Sequence, residues 1–198
     1  VLLGWVTGPP QERFPEDAMV YLMTGLKCLI GVVFLLALCG KTLVRGGFGG
    51  FERSLRRLVV VPRALVRPVA VLIVAGEAGV VLALAVPGRA TAVAGFGLAL
   101  ALLLVFTAGF ARALRRGAQA PCHCFGASTT PLGPHHLLRN LLLAVLALLG
   151  ATTTAVAAPD GHPAGALVAA AAGVVLGGLV AALDELLALF SPMTPERR

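Results

Sequence analysis

Five runs of mostly apolar residues divide this chain, and that pattern excludes most of the folds open to a chain of its size. A helix crossing a bilayer needs about 20 consecutive apolar residues, because each residue rises 1.5 Å and the hydrocarbon core is about 30 Å thick. The runs go from Ala18 to Gly40, Val69 to Val86, Ala90 to Ala111, Leu141 to Ala158 and Ala164 to Leu183. The second and fourth are short and are expected to extend into their flanks. Pro87-Gly88, the segment from Pro121 to Pro134, and Pro159 to Pro163 break the chain between them. Inside lipid no water can satisfy an open backbone, so the runs must be helices. The expected fold is all-α, a polytopic membrane helical bundle.

The overall composition agrees. Only 13% of residues are charged, against roughly 25% in a soluble domain, and the mean hydropathy is +0.93. A water-soluble fold could not hide that much apolar surface. The formal net charge of +7 would suggest nucleic acid in a soluble protein. Here the bases sit beside apolar runs, so the partner they imply is anionic lipid. No nucleic-acid motif is present, and no nucleic-acid partner is expected. The run Val1 to Val6 is too short, and lacks the basic residues, to read as a signal peptide.

Between the first two runs, Gly46-Gly47-Phe48-Gly49-Gly50 makes a flexible break. Phe48, Phe51, Leu55 and Leu58 then recur at helical spacing, interleaved with Arg53, Arg56 and Arg57. This predicts an interfacial amphipathic helix over about 48–60. Basic residues also set an orientation, because they concentrate on the cytoplasmic side of membrane proteins. Lys41, Arg45, Arg53, Arg56, Arg57, Arg63 and Arg67 follow the first run, and Arg112, Arg115, Arg116 and Arg139 flank the connection between the third and fourth. If all five runs cross, both groups share one side. The other side carries Arg13 and Arg89 among Glu12, Glu16, Asp17 and Asp160. The expected layout is an extracytoplasmic segment 1–17, a Cys-containing cytoplasmic loop 117–136, a fifth transmembrane helix 164–190, and a cytoplasmic tail 191–198.

The sharpest local motif is Pro121-Cys122-His123-Cys124-Phe125-Gly126. Pro121 and Gly126 bend the backbone so that two thiols one residue apart converge. A disulfide between them closes a small, strained ring, and strained, exposed disulfides are the labile ones. Arg115, Arg116 and a protonated His123 would stabilise a thiolate and raise its reactivity. The chemistry this favours is a redox-active disulfide, with Cys122 and Cys124 as the exchanging pair. Two blander readings stand beside it. The cysteines are unrelated small residues near a membrane surface, or Cys122, Cys124, His135 and His136 ligate Zn or Cu(I). The redox reading fits better, since Cys-x-Cys is less usual than Cys-x2-Cys in structural zinc sites.

Cys28 and Cys39 lie in the first run. They are close to three turns apart and so share a face, too far apart to pair with each other. Cys39 lies near the end that carries the Cys-x-Cys loop and is a candidate resolving thiol; as buried small hydrophobes the two would need no further role. Glu77 sits near the middle of the second run, where an ionisable group must face the bundle and find a partner. Lys27 and Lys41 are the candidates. Glu77 reads either as a proton carrier or polar clamp beside the redox site, or as a structural bond between helices. Arg139 and Asn140 open the fourth run; Arg139 reads as a tether for the Cys loop or as an ordinary basic anchor. Ala169, Gly173, Gly177 and Ala181 repeat every four residues in the fifth, a small-residue packing face.

Taken in order, these features resemble the MauE family, named for methylamine utilisation, within the wider DoxX-like membrane proteins. The resemblance runs from about Gly31 to Leu149. It starts with Gly40-Lys41 and the aromatic-basic stretch after it, then takes in Glu77-Ala78-Gly79 and Phe106-Thr107-Ala108. Its most specific part is Cys122-x-Cys124-Phe125-Gly126, followed by Pro131-Leu132-Gly133 and Arg139-Asn140-Leu141. It implies a four-helix core over 18–158, with the fifth helix outside it. It also implies work beside a thioredoxin-like partner in supplying or removing disulfides as exported proteins mature. The founding member is associated with methylamine dehydrogenase, whose small subunit is rich in disulfides. Related membrane oxidases pass electrons to quinone from cysteines on the oxidising side. The charge count puts Cys122 and Cys124 on the cytoplasmic side instead, and no quinone-binding motif can be read. That favours an electron relay outward from a cytoplasmic thioredoxin-like protein.

Overall fold

The computed structural model describes residues 13–57, 62–115, 134–156 and 162–190. Cys122, His123 and Cys124, the 191–198 tail and the N-terminal residues 1–12 lie outside the described residues. Among those described, every regular element is a helix. They are α1 (Arg13–Thr42), α2 (Gly47–Arg57), α3 (Val66–Ala85) preceded by a 3-10 turn (Arg63–Leu65), α4 (Arg89–Arg115), α5 (Pro134–Val156) and α6 (Pro163–Phe190). Five of them are long and apolar enough to cross a membrane. Large apolar side chains such as Leu72, Leu82, Leu138, Leu167 and Val168 point outward all round the bundle. That surface suits hydrocarbon and would be intolerable in water. The protein is a multi-pass membrane protein whose natural surroundings are lipid.

The short runs lengthen as anticipated. The fourth gains its length at its start, because Pro134 occupies the first helical turn, where a missing N–H costs nothing. The third and fourth helices of the chain form a hairpin with only Val86, Pro87 and Gly88 between them. Gly88 has φ +140, a conformation that a side chain would strain, and the Thr91 hydroxyl donates to its carbonyl at 2.9 Å.

Four helices, α1, α3, α4 and α5, enclose the core. Its main apolar cluster joins Ile30, Val33 and Phe34 of α1 to Val80 and Leu84 of α3, Phe96, Ala99 and Leu103 of α4, and Leu143, Ala144 and Ala147 of α5. Small residues set the spacing between helices. A Cβ on Gly150 of α5 would strike the Phe96 ring, and one on Gly76 of α3 would meet Leu102 at 3.3 Å. The fifth spanning helix, α6, packs on α1 and runs parallel to it. Gly165 lies against Tyr21, Gly173 against the Gly25 carbonyl and Gly177 against the Leu29 carbonyl, in steps of about two turns and one turn along α6. Close backbone approach of this kind is how helices associate in lipid, where burying apolar surface gains little. The small-residue stripe therefore serves packing within the chain.

The amphipathic helix is real but is not simply laid on the membrane surface. α2 ends its described part at Arg57, with 58–61 outside the described residues. Phe51 and Ser54 are buried, and Phe51 packs with Ala70 and Ile73 of α3. The elbow before it explains why. Gly46 takes φ +79, and Gly47 sits so near the Gly40 carbonyl that no side chain fits. This turns α2 back against the ends of α1 and α3, leaving Arg53 and Arg56 exposed.

Candidate functional site

One end of the four-helix core differs chemically from the rest. It is the end at which α1 and α4 stop and α5 starts, here called the loop end, because residues 116–133 join α4 to α5 there. Its buried residues include Lys41 (2% exposed), Glu77 (1%), His136 (4%), Arg139 (6%) and Asn140 (1%).

At its centre is an ion pair. The Lys41 ammonium donates to Glu77 Oε1 at 2.7 Å, with both side chains 2% exposed. Lys41 belongs to the last turn of α1, and its ammonium lies 3.4 Å from the Ala37 carbonyl one turn back. The side chain thus folds inward, away from the membrane surface. The Phe51 ring of α2 closes over it, with Nζ 4.9 Å from the ring centroid, so the face of the ring meets the cation. Of the two lysines considered for Glu77, Lys41 is the partner, while Lys27 is half-buried elsewhere on α1. An ion pair this deeply buried costs desolvation on both sides, which the mutual attraction only partly offsets. Glu77 Oε2 has no hydrogen-bond partner among the described residues.

α5 supplies the other polar groups. His136, Arg139, Asn140, Leu143, Ala144 and Ala147 form one buried stripe at helical spacing. Because α5 begins at Pro134, Arg139 and Asn140 lie in its second turn and do not open it. Arg139 is therefore no ordinary anchor with its head in water. The basic-anchor reading fails because residues 134–138 carry the helix further toward the membrane surface. His136 is buried on the same stripe, whereas the side chain of His135 lies outside the described residues. The proposed metal set Cys122, Cys124, His135 and His136 thus falls almost wholly there too. Among the described residues, no group of three or more metal-ligating side chains comes together.

Thr107 of α4 is a polar group that the sequence reading passed over. Six other described threonines, Thr24, Thr42, Thr91, Thr152, Thr153 and Thr154, donate their hydroxyls to nearby backbone carbonyls. The buried Thr107 hydroxyl has no partner among the described residues, and neither does Asn140 Oδ1. Phe51 was also missed as a site residue. The available signal was its place on the apolar face of a helix directly after Lys41.

Cys28 and Cys39 are free thiols, both half-buried. Cys28 packs at the α1–α6 contact, beside Gly173, where its size suffices to explain it. Cys39 lies two residues before Lys41, at the loop end.

The sequence profile described as methylamine utilisation protein MauE matches residues 19–153 of the chain. No curated protein and no solved structure matches it.

Proposed function

The chain belongs to the MauE family, and from that premise we propose that it is a membrane thiol-disulfide exchange protein acting with a thioredoxin-like partner in disulfide handling for exported proteins. Cys122 and Cys124 form the exchanging pair. A thiolate of the reduced partner attacks one sulfur of the Cys122–Cys124 disulfide and releases the other as a thiolate. The partner's second thiol then attacks the mixed disulfide. The partner leaves oxidised, and the pair is left as two thiols. Two electrons and two protons have moved, and no further oxidant is consumed. The reverse sequence hands the same two electrons and two protons to another accessible disulfide and restores the Cys122–Cys124 disulfide. His123 and the neighbouring arginines hold the thiolate form, and Cys39 stands by as a resolving thiol.

One observation carries this reading. The segment holding Cys122 and Cys124 joins α4 to α5 at the end where Lys41, Glu77, His136, Arg139 and Asn140 are buried. Intramembrane ionisable groups are costly and mark functional sites by default. The loop's attachment leaves Cys122 seven residues from the end of α4, within about 25 Å of it even when fully extended. By the distribution of basic residues this end faces the cytoplasm, the N-terminus faces outward, and electrons flow outward from a cytoplasmic thioredoxin-like donor. The family's name makes the maturation of a methylamine-oxidising enzyme one setting for such a relay.

The test is substitution of each loop cysteine alone. Cys122→Ser and Cys124→Ser are each expected to abolish disulfide exchange, and one of them to accumulate a mixed disulfide with a thioredoxin-like protein. Full activity in both variants would end the proposal. Zinc or copper that co-purifies in proportion to protein, and is lost with either cysteine, would replace it with the metal-binding reading.

A further inference from the structure

Three buried oxygens on three different helices lack partners among the described residues: Glu77 Oε2 on α3, the Thr107 hydroxyl on α4 and Asn140 Oδ1 on α5. The glycine contacts fix their relative depth. Phe96 of α4 faces Gly150 of α5, and the two helices run antiparallel, so moving eleven residues along each brings Thr107 level with Arg139 and Asn140. Leu102 of α4 faces Gly76 of α3, which places Glu77 about 9 Å deeper than Thr107 at 1.5 Å per residue. Side chains lean toward the start of their own helix. Glu77 on α3 therefore leans toward the loop end, while Thr107 on α4 leans inward, and the gap between them narrows.

All three atoms accept hydrogen bonds, and leaving a buried acceptor orphaned is costly. Retaining three of them toward one end of the bundle makes sense only if a donor comes to them. The donor cannot be a metal cation of any ordinary kind, because the Lys41 ammonium already neutralises Glu77 and Arg139 adds a further positive charge at that end. What remains is a small neutral donor. We propose that Glu77, Thr107 and Asn140 hold a short file of internal water, entered from the loop end, through which Glu77 exchanges protons with that side of the membrane alone. A buried water typically makes about three hydrogen bonds, and Arg139 and His136 add polar groups at the mouth. The file stops at Glu77. Beyond it Val80, Leu84, Phe96 and Ala99 pack into a wholly apolar cluster that offers water nothing to bond. The loop end is thus a half-channel, closed toward the Pro87 end, with the Lys41–Glu77 pair at its floor and Phe51 as one wall.

The test reads water access directly and does not depend on thiol exchange by the loop. In a chain with Cys28, Cys39, Cys122 and Cys124 replaced by Ser, single cysteines are placed by Thr107→Cys and by Asn140→Cys. Ala99→Cys and Ala147→Cys serve as controls at fully buried positions in the apolar half. Reconstituted protein is treated with 2-aminoethyl methanethiosulfonate, whose sulfur is attacked by a thiolate, with methanesulfinate leaving, only where water supports the charged thiolate. The 107 and 140 positions are expected to react at least about tenfold faster than the two controls. Reaction at both positions no faster than at the controls would show a dry interior and overturn the proposal. Either position suffices should the other variant fail to fold, as judged by its elution against the parent chain. Failure here leaves the Cys122–Cys124 reading standing, and failure of that reading leaves the half-channel standing.

Discussion

The two halves of the four-helix core are built from the same helices and follow opposite rules. Toward the Pro87 hairpin the interior is aliphatic and aromatic apart from Thr153 and Thr154, whose hydroxyls bond back to their own helix, and glycines set the distances, as Gly150 does under Phe96 and Gly95 does beside Leu84. Toward the loop end, the same stripes carry Lys41, Glu77, Asn140, Arg139 and His136. In lipid the first arrangement stabilises the bundle by fitted packing. The second costs desolvation and gains little that packed leucines would not give more cheaply. The apolar half holds the fold together, and the polar half is the end to which the proposed chemistry is assigned.

The largest effect expected from breaking this comparison lies at the ion pair. Lys41→Ala strips Glu77 of its counter-ion, leaving the carboxyl unpaired or forced to take up a proton, and is expected to cost up to about 3–5 kcal/mol in reversible unfolding from mixed micelles. The double variant Lys41→Met with Glu77→Leu should recover most of that loss, since it removes both charges. A double variant as unstable as the single one would mean that the pair itself supports the fold and would erase the distinction between the halves.

Next in size is the α1–α6 contact. Gly173→Leu drives a side chain into the Gly25 backbone, which cannot yield, and is expected to cost about 3 kcal/mol and to loosen α6 from α1. Proteolysis between α5 and α6 would report the release. Leu84→Ala in the apolar half follows, at about 2 kcal/mol. This is the lower end of such truncations, because lipid takes the place of water as the reference and only lost packing counts. Leu72→Ala, on a side chain that is 71% exposed to the surroundings, is expected to change stability by less than about 0.5 kcal/mol. The ratio of the last two effects measures how far packing alone specifies the apolar half.

The spans were legible in sequence because hydrocarbon thickness is a strict ruler, and composition alone satisfies it. Glu77 was legible for the same reason, since a carboxyl in mid-span stands out. Its partner was not. Lys27 and Lys41 lie on one helix, and the choice depends on where α3 crosses α1, a contact 36 residues away along the chain. For Arg139 the choice between a loop tether and a basic anchor stayed open, because local sequence shows a basic residue before an apolar run but not the five helical residues ahead of it. Thr107 was invisible for a subtler reason. Most membrane threonines satisfy their own hydroxyl within the helix, and only the structure shows one that does not. The stripe of Ala169, Gly173 and Gly177 was visible, but whether it met a helix of the same chain depended on α6 lying parallel to α1.

The central claim is that Cys122 and Cys124 cycle between thiol and disulfide at the polar end of the bundle, on the cytoplasmic side. The most direct measurement is alkylation of these two cysteines by a membrane-impermeant reagent, in a chain with Cys28 and Cys39 replaced by Ser, comparing intact cells with inverted vesicles before and after reduction. The account predicts labelling in inverted vesicles only, rising on reduction. Equal labelling with and without reduction would contradict redox cycling, and labelling in intact cells would turn the bundle over and assign the pair to the oxidising side.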